Sequence, residues 1–346
     1  MPRRRRLLAL LAAAAVLVAT VLLSSTTAAA APDLPAAVVA LGDSAASGEG
    51  AGDYEPGTRG EDGNWCHRSS YAYIHRTGLT PESVNLACSG AGAGDVAFGD
   101  STHNTETSQA RALVDVAGRY RVETVVLQVG ANDDAALTDT GIACMRAFLD
   151  PTEPPCRETV GPLVGSRMAA TAPKVETAVR DVRAAMSQAG YARDSYTLVM
   201  ASYAAPITEK MLPLQGARGC PHSRDDAAWG RTVLFPALSA TLRGVAERTG
   251  ARFLDMVRAT EGYEACTRTP YTEEWQRRIT VDARALVYGG LDAISFHLAQ
   301  ESFHPQAKAH SEMGRCVGEF VRTDARAGAC VAGTDGRVGL DVSAPA

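Results

Sequence analysis

The sequence predicts an α/β fold, with a central parallel sheet covered by helices on both faces. Two observations predict it. Short apolar runs of strand character alternate with longer stretches of helical apolar spacing, which is the pattern of repeated β-α units. Three unusual turns, at Ser44, Gly90 and Asn132, each lie just after such a strand. In sheets of this kind ligands sit at the carboxyl ends of the strands, so the three turns are expected to converge on one crevice.

The elements follow in order. Ala36 to Leu41 is an apolar run read as a short buried strand, and it breaks into Gly42-Asp43-Ser44-Ala45-Ala46-Ser47-Gly48-Glu49-Gly50. Ala51 to Ser70 is Gly-rich and polar and reads as a loop, and Tyr71 to Thr77 is expected to start a helix. Ser83 to Cys88 is a second strand running into the small-residue turn Ser89 to Asp95. Gln109 to Ala117 is helical in pattern. Thr124 to Val129 is the clearest strand, β-branched and apolar, and it ends at Gly130-Ala131-Asn132-Asp133. A helix over Pro173 to Ala189 stops at Gly190. Tyr196 to Ala201 is the fourth strand, Phe235 to Thr249 a helix, Arg252 to Met256 the fifth strand, and the last helix follows Pro305. Two cysteine-bearing insertions, Ala135 to Pro162 and Ala205 to Val233, are expected to shape a pocket rim.

The 346 residues are 46% hydrophobic and 21% charged, which is ordinary globular composition. No internal repeat, linker or composition break marks a second domain, so residues 32–332 are read as one. Residues 333–346 are small and polar and are expected to form a loose tail. Residues 1–31 read as a signal peptide. Arg3 to Arg6 form its basic region, Leu7 to Leu23 its apolar region, and Ala28-Ala29-Ala30 a cleavage site. Arg5-Arg6 leaves the twin-arginine route open beside the general one. The protein is therefore expected outside the cell, with no stable membrane anchor after cleavage. The formal charge is −5 with the four leader arginines counted. Such a negative body argues against nucleic acid and against docking to anionic lipid.

Eight cysteines behind a signal peptide indicate disulfides. Sequential pairing is expected: Cys66–Cys88, Cys144–Cys156, Cys220–Cys266 and Cys316–Cys330. Chain entropy alone assigns about 3 kcal/mol to the shortest loop and about 4 to the longest. No Cys-x-x-Cys pair exists, which argues against zinc, and Cys66-His67 is not read as a metal site. No metal or organic cofactor is expected.

Ser44 stands on a turn at the end of a strand, where a hydroxyl is exposed and can be rigidly aimed, as a nucleophile requires. Ser47 is read as a turn residue. Such a serine needs a histidine to take its proton. Of the seven histidines, His304 stands out because Pro305 follows it and fixes the entry to a helix. Glu301, three residues earlier, or a carbonyl of the same loop such as that of Ser302, is placed to hold the imidazole. His297 is the competitor. It lacks the following proline and a carboxylate three residues before it. His75, His103 and His222 are read as surface or capped residues. Asn132 follows the best strand and is read as functional rather than as a turn-former.

Together, Gly42-Asp43-Ser44, Gly90 after Cys88-Ser89, Gly130-Ala131-Asn132-Asp133 and Ser302-Phe303-His304-Pro305 resemble the four blocks of the SGNH hydrolases, the GDSL-type esterases and lipases. The resemblance spans roughly Val38 to Val321. Cys66-His67-Arg68-Ser69 and Ala87-Cys88-Ser89-Gly90 resemble its secreted actinobacterial branch. The resemblance implies a flavodoxin-like three-layer α/β/α sandwich with Ser44 as nucleophile and His304 as base. It also implies an oxyanion hole from the N–H groups of Ser44 and Gly90 and the Asn132 amide. The family usually has Asp where this chain has Glu301, which is taken as the third catalytic member. The expected activity is serine-dependent hydrolysis of lipid or short-chain acyl esters by a monomer. Carbohydrate O-acetyl esters, or a non-catalytic binding protein on the same fold, are the alternatives.

Overall fold

The computed structural model describes residues 34–343 except 283, 285–286 and 288–295. The expected signal peptide lies outside the described residues. Among the described residues seven strands form one sheet: β1 (Ala36–Gly42), β2 (Glu82–Asn85), β3 (Arg121–Gln128), β4 (Thr197–Ala201), β5 (Arg252–Asp255), β6 (Ala327–Ala332) and β7 (Val338–Asp341). Their order is β2-β1-β3-β4-β5-β6-β7. All neighbouring pairs are parallel except β6 with β7.

Alternate side chains of each strand point to opposite faces, so each strand feeds two cores. On one face Val39, Leu41, Val125, Leu127, Leu198 and Met200 pack beneath three helices. These are α1 (Gln109–Ala117), α2 (Val164–Gln188) and α3 (Phe235–Thr249). On the other face Val38, Ala40, Val126, Val199, Ala201 and Leu254 pack against Tyr73, Ile74 and helix α4 (Ala307–Val321) through Met313, Val317 and Phe320. This is the α/β/α sandwich.

Some boundaries differ from the sequence expectation. Strand β2 stops at Asn85, because the Asn85 side chain accepts from Ala87 N–H at 3.1 Å and donates to the carbonyls of Ala46 and Ser47. Helix α2 starts nine residues before Pro173, which sits exposed inside it. An interior proline costs about 3 kcal/mol. Burying Val164 and Met168 on the preceding turns returns about 1.5–3 kcal/mol each, so the helix continues. The stretch from Tyr71 to Thr77 forms only a 3₁₀ turn, Tyr73–Arg76.

The segment expected as a loose tail carries β7, which pairs antiparallel with β6 from Ala332↔Val338 to Ala329↔Asp341. Val338 is fully buried. The connection turns at Asp335-Gly336, with Gly336 at φ +78°. That dipeptide is a hairpin signal. Disulfides join Cys66 to Cys88, Cys144 to Cys156, Cys220 to Cys266 and Cys316 to Cys330, and no cysteine is free.

The end of β1 is held by backbone contact. Gly42 lies at φ +140°, and a Cβ there would stand 1.9 Å from the Gln128 carbonyl oxygen of β3. The Gln109 amide bonds both Gly42 N–H (2.7 Å) and Gly42 C=O (2.8 Å). Gly42→Ala is expected to cost about 3 kcal/mol or more, from overpacking and backbone strain together. Gly52→Ala, with φ +76° but nothing within 4 Å of a Cβ, is expected to cost about 1 kcal/mol. Denaturant midpoints of the two variants check the difference.

Candidate active site

The strand order reverses between β1 and β3, which is where a doubly wound sheet opens a crevice at its carboxyl edge. Two of the three turns sit at that point. After β1, Asp43 caps a short helical turn, Ser44–Ser47, and accepts from Ala45 N–H at 3.1 Å. Ser44 therefore stands at the first position of the turn, half-buried. Ser47 is buried, and its hydroxyl donates to Ser44 C=O at 3.1 Å, as expected of a turn residue.

The turns are tied to one another. Cys88 N–H donates to Gly42 C=O at 3.1 Å. The Asn132 amide donates to Ala91 C=O at 3.0 Å, and Asp133 accepts from Ala93 N–H at 3.0 Å. Tyr203, at the end of β4, donates to the Asp43 carboxylate, and its oxygen accepts from Ala131 N–H at 3.3 Å. Burial pushes the Asp43 carboxyl up to about 7, against the opposing hydrogen bonds from Tyr203 and Ala45. Gly90 is exposed and lies at φ +82°. The carbonyl of its peptide, that of Ser89, accepts from His103 Nε2 at 2.8 Å and from the Asn104 amide at 3.2 Å. His103, read from sequence as a surface or capped residue, thus holds the Gly90 peptide.

His304 comes from the other end of the chain. Its Nε2 lies 2.8 Å from Ser44 Oγ, and its Nδ1 lies 3.1 Å from Ser302 C=O. With Nδ1–H donating to that carbonyl, Nε2 is left as the acceptor for the serine hydroxyl. The loop is laced to residues 275–280. Arg277 N–H donates to His304 C=O (2.9 Å), Phe303 N–H to Arg277 C=O (3.1 Å) and Gln306 N–H to Trp275 C=O (2.7 Å). Phe303 lies at φ +59°, unusual for a bulky residue. It packs on the Met211, Cys220 and Cys266 cluster, so the second insertion lies under the loop that carries His304. Burial lowers the His304 pKa. Glu49, the Ser302 carbonyl and Glu301 oppose that shift.

Glu301 does not hold the imidazole, which corrects the expectation that it completes a triad. Its Oε1 accepts from Tyr54 OH at 2.8 Å, and its Oε2 lies 3.7 Å from the Arg277 guanidinium. The Ser302 carbonyl, the other group considered, holds Nδ1. His297 is engaged elsewhere. Its ring stacks on Trp65 at 4.1 Å, and its Nδ1 bonds Gln300 Oε1 at 2.6 Å. His75 bonds Ser83, and His222 packs edge-on against Phe303.

Sequence reasoning missed Glu49, Tyr54, His103, Gln109 and Tyr203. Only Glu49 carried a local signal, as a carboxylate inside the Gly48-Glu49-Gly50 turn.

A serine hydroxyl bonded to an imidazole at the carboxyl edge of a doubly wound sheet defines a serine hydrolase site. The GDSL-like Lipase/Acylhydrolase family model matches residues 40–311. The chain belongs to that family and is an ester hydrolase. It is 27% identical over 233 residues to Lipase 2 of Streptomyces coelicolor, covering 66% of this chain and 72% of that protein. The fold is similar to the extracellular lipase of Streptomyces rimosus, with a TM-score of 0.50 and 21% identity over 83% of this chain and all of that one. Phospholipase A1 of Streptomyces albidoflavus is 19% identical at a TM-score of 0.49, covering 84% of this chain and all of that one.

Two outcomes follow from the geometry. Because burial lowers the His304 pKa, kcat/KM should rise with pH along a limb centred below 6.5, as the ring loses its proton and becomes a base. A pH–rate profile checks this. Glu301→Ala should lower kcat far less than the ~10⁴-fold loss seen when an orienting acid is essential. His304→Ala should be severe. Steady-state kinetics of the two variants separate the cases.

Proposed function

We propose that the chain is a secreted serine ester hydrolase that cleaves lipid or short-chain acyl esters through an acyl-enzyme on Ser44. The observation that carries the reading is the 2.8 Å contact between Ser44 Oγ and His304 Nε2, with Nδ1 held by Ser302 C=O. In the first half-reaction His304 takes the serine proton as Oγ attacks the ester carbonyl. The imidazolium then donates that proton to the leaving alcohol. In the second half water attacks the acyl group with His304 again as base, and Ser44 is regenerated. The Ser302 carbonyl accepts from Nδ1–H throughout and steadies the imidazolium.

Charge develops on the ester oxygen during attack, and donors fixed at that point supply most of the stabilisation. Ser44 N–H, Gly90 N–H and the second N–H of the Asn132 amide take that role in this reading. Gly90 is exposed to an incoming oxygen and its peptide is held by His103 and Asn104. The first N–H of Asn132 is spent on Ala91 and fixes the direction of the second. Export is supported by the pairing of all eight cysteines, a state that persists in oxidising compartments.

Ser44→Ala should abolish hydrolysis of p-nitrophenyl esters while leaving the thermal transition in place, and a fluorophosphonate should label the parent protein at Ser44. Label on another serine, or turnover by the variant, refutes the assignment. Asn132→Ala should lower kcat by about 10²–10³-fold. A panel of p-nitrophenyl esters from acetyl to long acyl chains, with an acetylated sugar beside them, fixes the substrate class.

A further inference from the structure

Glu49 is a carboxylate with no accessible surface, five residues beyond Ser44. Burying an ion is costly unless it is paired and hydrogen-bonded, and Glu49 has both kinds of partner. His67 Nδ1 lies 2.9 Å from Oε1, Ser89 Oγ donates to Oε2 at 2.6 Å, and Gln300 Nε2 donates to Oε2 at 2.8 Å. Tyr54 OH lies 3.3 Å from Oε1 and is itself bonded to Glu301. These partners come from three separate stretches of chain. Ser89 precedes Gly90, Gln300 lies four residues before His304, and Gly50, next to Glu49, lies under His304 itself. A Cβ on Gly50 would stand 2.9 Å from His304 Cβ.

We infer that Glu49 and His67 form a buried charge pair that positions and electrostatically tunes His304, supplying through space the negative charge that no carboxylate supplies at Nδ1. Glu49 is thus a positioning residue, and the inference rests on His304 acting as the base of Ser44. The charged groups facing His304 are Glu49, Glu301 and His67, and His310 of helix α4 senses it in turn. Arg277 is paired to Glu301, and Arg59 acts on His67.

The signs follow from which groups are charged when His304 titrates. Glu49 is held down at about 2: its own burial opposes this, and His67, His304 and Ser89 outweigh it. His67 is raised above its ordinary value, Glu49 outweighing the burial that acts the other way. His304 is lowered. Through the acidic limb of the rate profile the pair is therefore Glu⁻ and His⁺. The anion favours a protonated His304 and the cation disfavours it.

Removing each charge should move the limb in opposite directions. In Glu49→Gln, which keeps the side chain's size but removes its charge, His67 loses its own charge with its partner, and the acidic limb of kcat/KM for p-nitrophenyl acetate should fall by the excess of the anion's effect over the cation's, under about one pH unit. In His67→Gln it should rise. In the double variant it should stay where Glu49→Gln puts it, since His67 is already neutral without its carboxylate. A merely structural role would lower kcat in all three without opposed shifts. Limbs of the two single variants that stay in place, or that move the same way, overturn the inference. Should Glu49→Gln fail to fold, His67→Gln decides alone: an upward shift supports the pair and an unmoved limb refutes it. Ser44→Ala, measured beside them, separates the two readings. If it turns over substrate, the nucleophile assignment fails and takes this inference with it. If it is dead while the limbs are unmoved, only the charge pair is overturned.

Discussion

The structure depends on the contact of Gly42 against the Gln128 backbone. A side chain at that position has no room, because the carbonyl of β3 occupies the place of its Cβ. The contact brings the ends of β1 and β3 together at the point where strand order reverses. Asp43 N–H then donates to Gln128 C=O at 3.0 Å, and the chain turns into the short helix that presents Ser44. Gln109 seals the two peptides that flank Gly42, accepting from the Gly42 N–H and donating to the Gly42 C=O. A serine aimed in this way owes its direction to backbone packing, and little of it to its own side-chain preferences.

A second layer of buried polar groups turns a set of turns into one site. Asp43, Tyr203 and Ala131 bridge the ends of β1, β4 and β3. Glu49, Ser89 and Gln300 bridge the first turn, the second turn and the loop before His304. Each bridge uses a side chain with several hydrogen-bonding atoms, and a partly satisfied network of this kind would be worse than an apolar core. The burial of these groups therefore fixes the relative placement of segments far apart in sequence, since each must meet its partners or leave a polar atom unpaired in the interior. The disulfide Cys66–Cys88 covers the same ground covalently.

Much of the fold was legible because its signal is local. Apolar runs at β1, β3, β4 and β5 mark buried strands, and Gln109–Ala117 and Phe235–Thr249 lie where their apolar spacing puts them. Strands β6 and β7 were not legible as a sheet edge. Ala327–Ala332 is made of small residues with weak strand preference, and Val338–Asp341 is too short to show alternation. Only the Asp335-Gly336 turn between them carried information, and it was read as part of a tail. Ser44 and His304 stand out in the sequence because one ends a strand on a turn and the other precedes Pro305, and the structure brings the two side chains together. Tyr203 and His103 were not legible, since nothing local distinguishes a tyrosine or histidine that bonds across the fold from one that does not.

Glu301 shows where spacing stops being informative. A carboxylate three residues before a histidine faces it when the intervening backbone is regular. Here Phe303 takes a left-handed conformation, held by the paired backbone bonds between residues 303–304 and Arg277. The loop is thereby turned so that the Ser302 carbonyl meets Nδ1 while the Glu301 carboxylate meets Tyr54 and Arg277. The conformation at Phe303 is set by the segment at 275–280 and by the cluster around Met211 and the Cys220–Cys266 bridge. Neither is adjacent in sequence. The direction of the Glu301 side chain is therefore a tertiary property, and the group that meets Nδ1 is a neutral carbonyl, with the carboxylate of Glu49 fully buried in the turn beneath His304.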